Sequence, residues 1–324
     1  MIKTQVLFIL SLVLVAGVTA TAIPACSIQD QDDPTLPSDS LYDTKFTLNT
    51  ALPDVNESYV IYRTVTPDVS DEYVKKMGER FDTYGKAEKK SESTGRIQII
   101  DNTGEESRCL SVYERSGGIV YEIPEKAFPA FVESQPILPS KAEAREIATN
   151  FLKTRNLLPE DAEIESVEVD KIYKEYMIGH EGPTLSYNMT LDVHYSRNFN
   201  GIPVYGDELS VIIGDKGEVV EVIKSWRDVQ PYKEVKIKTP ELAYSDLIAS
   251  RFARPPTENL YEKVVVEDVH IGYWMEPRIT EQKVVLPVYV FSGTGTVNGI
   301  ERPYVEFVSA ALSEEERVIP GNSP

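Results

Sequence analysis

Residues 194–213, HYSRNFNGIPVYGDELSVII, with GDKG at 214–217 and EVVEVIKSW at 218–226, are the stretch on which the expected fold turns. The pattern reads as one antiparallel sheet unit. A β-rich arm reaches Asn200-Gly201, a pair that readily takes the positive φ angles of a tight reversal. Leu209, Val211 and Ile213 then alternate as a half-buried strand does, Asp215-Lys216-Gly217 reverse the chain, and Val220 and Val222 line one face of the return strand.

Around this unit the chain divides into three segments, each with a helix among β-rich runs. In 45–135, Ser70 caps a helix whose first turn holds Asp71 and Glu72, and Tyr73, Val74, Met77 and Phe81 form its apolar stripe. The runs GRIQII, RCLSVYE and GGIVYEI follow, with turn residues between them. In 136–232, Ser140-Lys141-Ala142-Glu143 has the capping-box form, followed by a stripe of Ala144, Ile147, Ala148, Phe151 and Leu152. In 233–313, Thr239-Pro240-Glu241 opens a helix carrying Tyr244, Leu247, Ile248 and Phe252. A stripe of this kind is not stable in water by itself and must lie on a sheet. Burying five such side chains contributes on the order of 8–12 kcal/mol before entropy is subtracted. The expected fold class is α+β: tandem modules, each with one helix packed across a curled antiparallel sheet.

The tract NGIPVYG leading into a hairpin, and the ending LPVYVFSG…RPYVEFVSAA, resemble the PepSY and fungalysin/thermolysin-type propeptide modules that precede thermolysin-like metalloproteases. The resemblance covers roughly 140–312 and implies a PepSY/cystatin-like fold in 136–232 and 233–313. Asn200, Gly201, Ile202, Pro203, Val204 and Gly206 are the residues that carry it. They form either a fold-setting turn or a contact loop, and Asn200-Gly201 with Pro203 gives the turn a sufficient backbone reason. The chain departs from the family in having His194 and Arg197 ahead of the turn, Asp207 in place of a common second glycine, and Ser309 before Ala310. What the resemblance implies is a module that binds, inhibits or helps to fold a protease, here acting in trans. The layout is also similar to YycH/YycI-type exported regulators of a membrane sensor kinase.

The chain has 33 basic and 52 acidic residues, a net charge of −19. Such a balance excludes nucleic acid, whose phosphates would be repelled, and anionic lipid surfaces. Lys3 and the apolar run Val6–Val18 form a leader (1–25) whose length fits export better than a full membrane span, with Ala20-Thr21-Ala22 as a small-x-small cleavage site and an uncleaved anchor as a further alternative. Ile23-Pro24-Ala25-Cys26 resembles a lipobox, which makes Cys26 the candidate lipid-attachment residue. A polar tether (26–44) follows, and 314–324 is a polar tail. The expected location is the outer face of the cytoplasmic membrane, as a lipoprotein, or the exterior after secretion. Cys109 is either a buried apolar residue or the partner of Cys26 in a disulfide. Asn56 and Asn188 head glycosylation acceptor patterns.

A search for reaction chemistry selects no catalytic residue, metal ligand or cofactor site. His180-Glu181 begins a zincin motif, but Thr184 stands where the second histidine belongs. His194 and His270 fall in strand-like runs, where a half-buried ring making one hydrogen bond is the plainer account. Asp101-Asn102-Thr103-Gly104 and 215–217 are turns rather than calcium loops. No GxSxG elbow occurs, and carboxylates are too many for one pair to stand out. Eighteen tyrosines fit both strand propensity and a contact surface. The expected function is therefore non-enzymatic: an exported protein that binds another extracytoplasmic protein, a protease or a sensor, through an exposed sheet edge. The alternative is a carboxylate-dependent enzyme acting on cell-surface polymers.

Overall fold

The computed structural model describes residues 44–312 apart from 66, 130, 131, 133, 180 and 251–260. The leader, the tether, Cys26, His180, Phe252 and the tail lie outside the described residues. Along the first part run β1 (Lys45–Leu48), β2 (Ser58–Thr64), α1 (Asp71–Arg80), β3 (Glu88–Ser91), β4 (Arg96–Asp101), β5 (Arg108–Tyr113), β6 (Ile119–Glu122) and α2 (Pro124–Ala127). Next come α3 (Lys141–Thr154), β7 (Glu163–Val169), β8 (Ile172–Glu175), β9 (Leu185–Asn188), β10 (Leu191–Ser196), β11 (Asn198–Phe199), β12 (Ile202–Tyr205), β13 (Glu208–Ile213), β14 (Val219–Ser225) and β15 (Val229–Lys236). The last are α4 (Pro240–Ser250), β16 (Lys263–Trp274), β17 (Val284–Val285), β18 (Pro287–Val297) and β19 (Ile300–Ser309).

Local chemistry accounts for the helix starts. The Ser70 hydroxyl accepts the Tyr73 N–H at α1. At α3, Ser140 accepts from the Glu143 N–H while Glu143 accepts from the Ser140 N–H. At α4, Thr239 accepts from Leu242 N–H, and Pro240 opens the helix where its missing N–H costs nothing.

The α+β class of tandem helix-on-sheet modules expected from the sequence is overturned: the described residues are mostly strand, in several sheets, with only four α-helices. β3-β4-β5-β6-β14-β13-β10-β7 form one continuous eight-stranded sheet, in which β6 of the first segment pairs antiparallel with β14 of the second. Val74, Met77 and Phe81 of α1 and Ala144, Ala148 and Leu152 of α3 share one core on it. Phe81 stacks on Tyr121 at 4.6 Å and touches Phe151 of α3 at 6.2 Å. Two helices thus lie across one sheet. Periodicity marks where a strand lies, but a strand's backbone groups accept any neighbour of suitable register.

The first segment is divided in the same way. β1 runs parallel to β16, and β2 lies between β15 and β17 in a three-stranded sheet, so both strands belong with the C-terminal part. There β11-β12-β16-β18-β19 make a second large sheet, with β1 and β12 at opposite ends of the same edge of β16. α4 buries Ala243 and Leu247 against its core.

The opening stretch is not one sheet unit either. His194 ends up in the eight-stranded sheet within β10, the β11–β12 hairpin crosses to the second sheet, and β13 returns. Asn200 and Gly201 take φ of 53° and 83° at the hairpin tip. A register shift at Ile212/Ile213 puts Val219 and Val222 in the core cluster, whereas Val220 is buried outside it.

Candidate binding groove

Two of the residues that differ from the propeptide pattern, Arg197 and Asp207, meet at the neck of this excursion. Arg197, just after β10, and Asp207, just before β13, are both buried, with Nη2 2.5 Å from Oδ2. The approach is a charge contact off the N–H axis, and neither Asp207 oxygen has an aligned donor. Burial pushes the Asp207 carboxyl up to about 7, against the downward pull of Arg197 and Arg227. Arg197 also donates to the Arg227 carbonyl and to Asp161, and its guanidinium lies over the rings of Phe199 and Trp226.

Arg227 carries this frame outward. Its guanidinium donates to the carbonyls of Glu276 (2.5 Å), Pro277 (3.1 Å) and Thr280 (2.8 Å). Three carbonyls on one planar donor hold the loop after β16 in a single shape. The Gln282 amide closes the same loop, accepting from Glu276 N–H and donating to the Trp274 carbonyl. Arg278 ties it to Glu208 of the eight-stranded sheet at 2.8 Å.

That loop is one wall of an open groove of about 820 Å³. The floor follows from strand alternation in β16. Val264, Val266, Val269 and Ile271 face the core, a bulge at Glu267 keeping both pairs inward, so Asp268, His270, Gly272 and Trp274 face out. Beside them lie Val288 of β18 and Phe307 of β19, and Leu286 closes one end. A Cβ on Gly272 would stand 2.7 Å from the Tyr205 ring, so glycine lets that ring lie flat on the strand. From there the rings run on: Tyr205 to Phe307 at 5.3 Å, Phe307 to Trp274 at 4.7 Å. Trp274 and Phe307 are half-buried. Glu276, Glu281, Glu306 and Lys283 supply the charge around them.

Two hydrogen-bonded chains look like proton relays. Asp268 Oδ2 lies 2.6 Å from His270 Nδ1, and His270 Nε2 lies 2.7 Å from the Tyr205 hydroxyl. Burial raises the Tyr205 phenol above its ordinary value, and Asp268 and Glu165 add to the rise. The phenol therefore stays protonated at neutral pH, and the relay fixes the ring over Gly272. On the eight-stranded sheet, His194 Nδ1 is 3.0 Å from the Ser210 hydroxyl, which donates to Asp192 at 3.3 Å. Ser210 is buried, and burial lifts Asp192 to about 6.

The other residues marked in the sequence are scattered. Ile202 and Val204 pack inward, Pro203 pairs with Asn198, and Gly206 sits against the Met275 carbonyl where no Cβ fits. Cys109 is buried beside the Gln98 amide, and burial raises its thiol to about 11. Asp101 accepts from Thr103 and Tyr84, closing a turn. Asn56 and Asn188 are exposed. Among the described residues no helix is long and apolar enough to cross a membrane.

No family model matches the chain, and no curated protein matches it. Among solved structures it is similar to an uncharacterized protein from Eubacterium rectale, at 12% identity and a TM-score of 0.44, over 82% of this chain and 88% of that one.

The groove residues Trp274, Phe307, Glu276 and Glu281 were not singled out in the sequence. The signal available was an aromatic residue in each of two strand-like runs, in GYW and VEF, and nothing local says that these positions converge.

Proposed function

We propose that the protein works by binding: the groove floored by Trp274, Phe307 and Val288 takes an extended segment of another extracytoplasmic protein. The observation that carries this reading is the half-buried Tyr205–Phe307–Trp274 row beside a wall already rigid through Arg227 and Gln282. Aromatic residues in a desolvated, pre-shaped recess are where binding energy concentrates, and a fixed wall lowers the ordering cost of association. The protonated Tyr205 phenol supports an orienting rather than a nucleophilic role for its relay. The resemblance to propeptides makes an extracytoplasmic protease the first partner to test, as an inhibited or regulated species; a membrane sensor is the second. The contact is assigned to the groove rather than to a bare sheet edge.

The test is direct. A photo-crosslinking residue at Phe307, compared with one on α4 at Glu241, identifies the partner in native membranes, and binding of that purified partner is then measured. Trp274→Ala should weaken it at least about tenfold with little change in Tm. Equal binding by the variant, or crosslinks from position 241 alone, would remove the groove from consideration.

A further inference from the structure

We infer that the segment entering the groove presents a cationic side chain, lysine or arginine, to the rings of Trp274 and Phe307 and the carboxylates of Glu276 and Glu281. This rests on the groove being a binding site and specifies what it reads. Three observations lead to it.

The first is charge. Glu276, Glu281 and Glu306 line the groove against Lys283 alone, three carboxylates to one ammonium. The −19 balance of the whole chain adds a long-range field of the same sign, which draws in cations and turns anions away.

The second is the aromatic floor. A ring face attracts a cation through its quadrupole, most strongly for tryptophan. Elsewhere this chain satisfies rings in that way itself: Arg155 lies over Phe151 at 3.9 Å, Lys171 over Phe128 at 4.2 Å and Arg63 over Tyr232 at 4.3 Å. Among the described residues no cation lies over Trp274 or Phe307.

The third is what the rim has left to offer. The Gln282 amide uses its oxygen on Glu276 N–H and its nitrogen on the Trp274 carbonyl. The carbonyls of Glu276 and Thr280 are held by Arg227. The ring faces remain, with the carboxylates of Glu276 and Glu281, the ammonium of Lys283 and the hydroxyls of Thr280 and Ser309 around them. Rings flanked by an excess of carboxylate select a positive charge on an apolar stem, since the stem of lysine or arginine covers apolar surface while its head stays polar.

The probes are three synthetic ten-residue peptides, alternating valine with lysine, with norleucine or with glutamate, titrated into the full chain by calorimetry and by tryptophan fluorescence. Only two tryptophans are present, and Trp226 is buried with its indole N–H on Asp161, so a ligand-induced change reports Trp274. The lysine peptide should bind at least about tenfold more tightly than the norleucine peptide, with the advantage shrinking as salt is raised. The glutamate peptide should not bind. Trp274→Ala and the pair Glu276→Gln/Glu281→Gln should each remove most of the lysine preference, Trp274→Phe should keep part of it, and Glu241→Gln on α4 should leave it intact. Should Trp274→Ala fail to fold, the glutamine pair carries the test. Equal binding of lysine and norleucine peptides, abolished by Trp274→Ala, overturns the inference and leaves the groove as a binding site. Lysine-peptide binding that ignores both variants is diffuse charge attraction and overturns the groove as well. No saturable binding of the lysine peptide up to millimolar concentration also overturns the inference.

Discussion

The two large sheets differ in what they show on the side away from their helices. On the eight-stranded sheet that side is a mixed polar surface, where Glu122 faces Glu221 across β6 and β14, Lys171 bridges to Glu221, and Asp192, His194 and Ser210 hydrogen-bond to one another. On the second sheet the corresponding side carries Tyr205, Phe307 and Trp274 in a row beside a fixed loop. Polar groups that are largely hydrogen-bonded or ion-paired already gain little from a partner, while half-exposed rings gain from every contact that removes water. That difference is the reason the proposed binding surface is put on the second sheet. The Arg197–Asp207–Arg227 frame connects the two sheets and sets the groove wall.

The sharpest way to break this picture is through the shared core. Leu152 of α3 is fully buried against the sheet that α1 also covers. Leu152→Ala should cost about 2–5 kcal/mol, and hydrogen exchange should show β4–β5 and β10–β13 losing protection together. Independent melting of the first segment would contradict a single continuous sheet. A smaller effect is expected from Gly272→Ala, which drives a methyl group into the Tyr205 ring. A loss of about 1–3 kcal/mol should come with a shift of the His270 ring nitrogens in NMR as the Tyr205 bond breaks; unchanged nitrogen shifts would dissociate the ring from Gly272.

The frame between the sheets can be probed by pH. The folded Asp207 carboxyl, at about 7, lies above its ordinary 3.8. The folded chain therefore keeps a proton that the unfolded chain has released, so this group's stabilising contribution is complete below about pH 4 and disappears as pH rises through about 7. Asp192, lifted to about 6, acts in the same direction. Tm should rise on going from about pH 8 to about pH 5, and Asp207→Asn should flatten that rise. An unaltered slope would place the titration elsewhere. The smallest effect belongs to Ser140→Ala, which removes the α3 cap and should cost about 1 kcal/mol in urea denaturation, leaving groove binding unchanged. A loss of peptide binding there would mean that the groove depends on the distant helix.

What could be read in advance was local. Ser70, Ser140 and Thr239 open their helices as expected, because a cap is decided by residues within one turn. Asn200-Gly201 reverses the chain at positive φ because few other pairs take it without strain. The assembly was misread where non-local pairing decided it. β6 carries no mark that its neighbour is β14, whose Lys224 pairs with Ile119, rather than a strand of its own segment. Arg197 and Asp207 appeared as two departures from a motif, and only folding showed them to be partners.

The sequence by itself determined the helix starts, the reversals and the acidic balance of the chain. Each of these depends on residues close in the chain or on a sum over all of them. Tertiary structure alone decided that two helices share one sheet, that the hairpin after Arg197 crosses into the other, and that Tyr205, Trp274 and Phe307 meet. Apolar burial is non-directional and every strand edge offers the same backbone groups, so register and neighbour are settled only when the whole chain packs at once.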